Sequence, residues 1–111
     1  MNRKEIKHLV RQIQELQALL EDRATYFKND EEKAAQRYKE LYLDVDLKLE
    51  ELGYEHENPH RSLHSIWGYS KTQGLGTYAE RRQYIRELYE DIVFDLERRL
   101  AKEKEPRNWK K

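Results

Sequence analysis

Between Arg3 and Phe27, apolar residues return at Ile6, Leu9, Val10, Ile13, Leu16, Leu20, Ala24 and Phe27. Steps of three and four keep them on one side of an α-helix and nowhere else. Ile6, Ile13, Leu20 and Phe27 stand at heptad intervals, as do Leu9 and Leu16, so the stripe has the form of a bundle or coiled-coil seam. It skips Arg23. A helix over about 3–27 with one apolar side must bury that side against partners, and the rest of the chain supplies them in kind.

Asn29 and Asp30 are good N-caps, and Asn29 with Glu32 approximates a capping box, so a tight turn near 28–30 starts a second helix over about 30–52. Its stripe is Ala34, Tyr38, Leu41, Tyr42, Val45, Leu49 and Leu52. Gly53 then suits the left-handed position that closes a helix, with Tyr54 folding back on Leu49. Leu43 and Leu47 project opposite this stripe at about 100° per residue. Either the second helix is central, with elements on both sides, or these two leucines are oligomerisation residues that meet another chain.

A third helix is announced by Thr77 and Glu80, spaced as a capping box, and runs over about 77–104, where Pro106 disfavours helix at the residue before it. Its stripe is Tyr78, Ile85, Leu88, Tyr89, Ile92, Val93, Leu96 and Leu100, with Phe94 on the other side. The 53–76 connector holds every glycine and serine and three of the four histidines. Within it, Asn58 as N-cap and Pro59 at the first helical position predict a short helix over about 59–67. No segment alternates as a strand does. The expected fold is all-α: three long antiparallel-type helices in a bundle, with a short fourth in the connector. The expected organisation is one domain over 1–105 and a C-terminal tail over 106–111 that carries Trp109.

Composition sets the limits on function. Charged residues make up 40% of the 111 and hydrophobic ones 37%, as in long amphipathic helices. The 22 basic and 22 acidic side chains cancel, and neither end is a basic arm, so no global field draws the chain to a polyanion. Nucleic acid is disfavoured as a partner. There is no cysteine, which removes disulfides, thiolate zinc sites and a cysteine nucleophile. With no apolar leader and no run of about 18 apolar residues, a cytoplasmic protein without membrane contact is expected.

Candidate chemistry gathers in the connector. Trp67, Tyr69, Lys71, Tyr78, Arg81 and Arg82 form the candidate binding set. Both arginines project to the apolar side of the third helix, where they either seal the bundle end with their stems or stack on Trp67 and Tyr69. Gly74-Leu75-Gly76 before a helix start could hold a phosphate, but no strand precedes it and Glu80 competes for the same amides.

His56, His60 and His64 are four apart, yet Pro59 separates the first from the others, and two histidines do not make a metal site even with Glu55 or Glu57 nearby. No metal or cofactor is expected. Pairings of the kind small helical ribonucleases use, Arg3 with His8 and Asn58 with His64 around Arg61, are present, but His8 projects away from the apolar stripe. The favoured expectation is a non-enzymatic helical protein-interaction module, self-associating in one form as a homodimer. The alternatives are nucleic-acid or phospholigand binding through Lys71, Arg81, Arg82 and the aromatics, and a small ribonuclease-like enzyme.

Overall fold

Five helices and no strand make up the described residues: α1 (Arg3–Thr25), α2 (Glu31–Glu51), α3 (Ser65–Thr72), α4 (Tyr78–Glu87) and α5 (Glu90–Asn108). The computed structural model describes residues 1–25, 31–55 and 58–108. The proposed turn at 28–30, with Phe27 and the Asn29 cap, and the indole of Trp109 lie outside them. The molecule measures 55 × 25 × 25 Å.

α1 carries the stripe read from its sequence. Ile6, Leu9, Val10, Ile13, Leu16, Leu20 and Ala24 are all buried. Its start is closed by a capping box: Glu5 N donates to Asn2 Oδ1 at 2.9 Å, and Asn2 N to Glu5 Oε1 at 2.8 Å. α1 packs against α2, α3, α4 and α5 and is the central element. The alternative that the second helix is central is therefore corrected. Leu43 and Leu47, which that alternative would have covered, are 55% and 63% exposed.

Polar contacts give the directions. Arg37 Nε reaches Glu15 at 2.7 Å and Gln12 Nε2 reaches Asp44 at 2.6 Å, so α2 returns along α1. Arg81 Nη1 donates to Ala24 O at 2.7 Å and Arg3 Nη1 to Leu100 O at 2.9 Å, so α4 and α5 also run opposite to α1. Tyr38, Leu41, Val45 and Leu49 of α2, Leu63 and Ile66 of the connector, and Ile85, Tyr89, Ile92 and Leu96 along α4, the break and α5 complete the core.

α2 ends as its sequence predicts. Gly53 has φ 86°, Tyr54 N donates to Leu49 O at 2.9 Å and Gly53 N to Glu50 O at 3.0 Å, the paired bonds of a Schellman motif.

Two expectations fail. The third helix is not continuous over 77–104: it breaks at Leu88 and Tyr89, whose amides make short-range bonds to Ile85 O (3.2 Å) and Arg86 O (3.4 Å). Gln17 of α1 lies at the break and donates its amide to both carbonyls at 3.3 Å. A side chain inserted into the backbone ladder is a recognised cause of a kink. Beyond it, α5 continues past Lys104 to Asn108, through Pro106. A proline in a helix removes one backbone bond and bends the chain, and here it does not stop it.

The short helix is also displaced, from 59–67 to Ser65–Thr72. Asn58 does not cap it. Its Oδ1 accepts from His60 N at 3.0 Å in an Asx turn, and its amide nitrogen reaches into the core. Gly68, the expected end, sits inside α3, and the left-handed residue that follows the helix is Gly74, φ 77°.

Candidate interaction surface

The connector is anchored from beneath by buried polar groups. Asn58 is 5% exposed and His60 1%. Asn58 Nδ2 donates to the hydroxyls of Tyr89 (3.0 Å) and Tyr38 (3.2 Å). The hydroxyl of Tyr38 in turn donates to His60 O, and that of Tyr42 to Asn58 O at 2.9 Å. His60 Nδ1 lies 2.8 Å from Ser65 Oγ and Nε2 lies 2.7 Å from Tyr84 Oη. Tyr69 stacks on Tyr84 with centroids 4.8 Å apart, and both rings stand nearly perpendicular to the imidazole.

Each buried polar atom in this chain of contacts has a partner, the condition under which such a network holds one conformation. Burial shapes its acid–base chemistry. It lowers the His60 pKa below the ordinary histidine value, and it pushes the Tyr89 hydroxyl up to about 12. It likewise raises Tyr84, with help from the Tyr69 hydroxyl.

The binding residues proposed from sequence lie over this base. Trp67 is half-buried, with Lys71 Nζ 5.0 Å, Arg81 Cζ 5.5 Å and Arg23 Cζ 5.9 Å from its ring centroid. Arg81 faces inward. Its Nε donates to Leu75 O at 2.8 Å and its Nη1 to Ala24 O at the end of α1, so its guanidinium ties connector, α1 and α4 together. Arg82 is exposed. Tyr78 is 50% exposed, with the Arg81 and Arg82 guanidinium carbons 5.8 and 6.0 Å from its ring. Tyr69, by contrast, belongs to the buried network. Leu43 and Leu47 stand apart on α2.

Two of the amides expected to cradle a phosphate are occupied. Thr77 N donates to Glu80 Oε1 at 3.0 Å and Glu80 N to Thr77 Oγ1 at 3.1 Å, the reciprocal pair read from the sequence. That backbone bond holds the Glu80 carboxyl below its usual range. The ribonuclease-like pairings are not assembled. Asn58 is buried while His64 is at the surface 3.3 Å from Arg23 Nη2, and Arg3 is bonded to Leu100 O while His8 lies beside Lys4, Lys7 and Arg11 in an open groove.

His60 uses both ring nitrogens within the network, and His56 and Glu57 lie outside the described residues. Among the described residues no three His, Asp or Glu side chains converge as metal ligands do. No described helix is long and apolar enough to cross a membrane.

The sequence did not single out Tyr84 or Gln17, and it read Asn58 as a cap and as half of a ribonuclease-like pair, not as a core residue. Tyr84 and Gln17 find hydrogen-bond partners 24 to 69 residues away, and the amide nitrogen of Asn58 finds tyrosines 20 and 31 residues away, so no local pattern marks these contacts. The one available signal was an asparagine and a histidine flanking Pro59 in a chain rich in tyrosine hydroxyls. No protein-family model matches the sequence, and neither the curated proteins nor the solved structures contain a significant match.

Proposed function

We propose that this chain is a non-enzymatic helical interaction module whose partner surface is the top of the connector and the start of α4. The observation that carries this reading is Tyr78, half exposed between two arginines on a segment held firmly from below. Tyrosine and arginine are the residues that concentrate binding energy at interfaces, and a surface ordered before binding has little further entropy to lose. Lys71, Arg82 and the half-buried Trp67 extend the same patch. Arg81 is a positioning residue, since its donors hold the connector on α1.

The test is affinity capture with wild type and a Tyr78→Ala/Arg82→Ala variant, both verified as helical by circular dichroism. Both substituted side chains are exposed, so the fold is expected to survive. The reading expects a stoichiometric protein that wild type retains and the variant loses. Identical sets captured by both would refute it.

One observation favours a second reading, polyanion binding: Arg23, Lys71 and Arg81 surround Trp67 within 6 Å, an arrangement that suits a stacked base beside a phosphate. It expects binding to a single-stranded oligonucleotide that weakens steeply with added salt. The protein-interaction reading expects no such binding.

A further inference from the structure

Leu43 and Leu47 lie one turn apart on α2, opposite the buried Tyr38, Leu41, Val45 and Leu49, and both are more than half exposed. They form a surface separate from the connector. On a helix, the neighbours of a residue are those three and four positions away. Apart from each other, Leu43 has Lys39, Glu40 and Asp46, and Leu47 has Asp44, Glu50 and Glu51. Five carboxylates and a single ammonium therefore rim the two leucines.

The basic residues of α2 nearest this rim turn toward α1. Arg37 pairs with Glu15 at 2.7 Å and reaches Glu40 only at 3.9 Å, while Lys48 donates to Gln12 Oε1 at 2.7 Å and pairs with Asp44 at 3.3 Å, so Asp44 is turned to α1 and Glu40, Glu50 and Glu51 are the exposed carboxylates of the rim. Glu50 and Glu51 end the helix, where the backbone dipole disfavours negative charge. Neither the exposed leucines nor these terminal glutamates are arranged to the fold's advantage.

A second copy is a poor occupant. Antiparallel pairing about a twofold axis that sets Leu43 against Leu47 also sets Glu40 against Glu50 and Asp44 against Asp46, with only Lys39 against Glu51 to offset them. An anionic membrane surface would be repelled. We infer that this face receives a basic amphipathic helical segment of another protein, with apolar side chains seated against Leu43 and Leu47 and lysines or arginines over the carboxylate rim. This is the helix-on-apolar-face mode of recognition, with charge selecting the partner.

The probe is a fluorescein-labelled synthetic helix of leucine and lysine in amphipathic spacing, titrated by anisotropy at physiological ionic strength, beside the same helix with glutamate for lysine. The lysine helix is expected to bind wild type, about tenfold more weakly to Leu43→Ser/Leu47→Ser, and several-fold more weakly to Glu40→Gln/Glu50→Gln. The glutamate helix is expected not to bind. Tyr78→Ala/Arg82→Ala should bind as wild type does, which separates this face from the connector surface. Equal affinity for wild type and the leucine variant, equal binding of both helices, or a wild-type dimer in sedimentation that the leucine variant dissolves would each overturn the inference. The glutamine variant alters only exposed side chains and carries the comparison if the leucine variant does not fold.

Discussion

Asn58 shows how much one buried side chain can control. It accepts from the amide of His60 and donates to two tyrosine hydroxyls, one from α2 and one at the break between α4 and α5. Asn58→Ala would leave several buried polar groups short of a partner, and a loss of about 2–4 kcal/mol is expected in urea unfolding. His60 makes a different prediction. Burial lowers its folded pKa, so below the ordinary histidine value of about 6.5 the unfolded chain takes up a proton that the folded one resists. The stability it contributes is complete above that pH and declines as pH falls toward the folded value. The carboxylates with lowered pKa, Glu15 and Asp44 among them, lose theirs only at more acidic pH, so the two windows separate. Wild type should lose urea midpoint between pH 7.5 and 5.5, and His60→Gln, although less stable throughout, should lose less. Equal losses would mean the imidazole is protonated without penalty.

At the level of helices, two ends that depend on neighbouring residues were legible, the stop expected at Pro106 did not occur, and the interruption that depends on distant residues could not be read. Thr77 and Glu80 are three apart, and Gly53 adjoins its helix, so cap and terminator could be read directly and both occur. Thr77→Ala should cost about 1 kcal/mol through loss of the cap. Gly53→Ala should cost about the same: an added Cβ meets no atom there, so the cost is that of a left-handed conformation at φ 86°. The break at Leu88 could not be read, because no glycine or proline stands beside it and Gln17, which bonds the freed carbonyls, is 68 residues from the nearer one. Gln17→Ala removes both donors and is expected to cost about 1 kcal/mol. Its amide chemical-shift changes should centre on residues 85–89, whereas shifts confined to α1 would show that Gln17 does not maintain the break. Asn58 illustrates the same limit within the candidate site. Before a proline it reads as a cap, and only Tyr38 and Tyr89, brought in by folding, draw it into the core instead.

Over the whole molecule, α1 is the post on which everything else packs, and the connector is part of the core. Leu63, Ile66 and Ser70 are as buried as the heptad residues of α1, and Arg81 fastens the connector to the end of that helix. This docking distinguishes the connector from a loop that orders only on contact with a partner. The stripes at helical spacing identified α1 and most of the core. They could not show that α1 is central, because centrality depends on how other helices distribute around it. On the proposed readings two surfaces result, an aromatic and basic one above the connector and an apolar and acidic one on α2, and their opposite charge would fit different partners.

Native-state hydrogen exchange tests the docked connector most directly. If Asn58, His60 and Arg81 hold it as part of the core, the amides of Ile66 to Ser70 will open with the same free energy as those of Ile13 and Leu16, and with the same denaturant dependence. Connector amides that exchange at nearly unprotected rates while α1 remains protected would contradict the account.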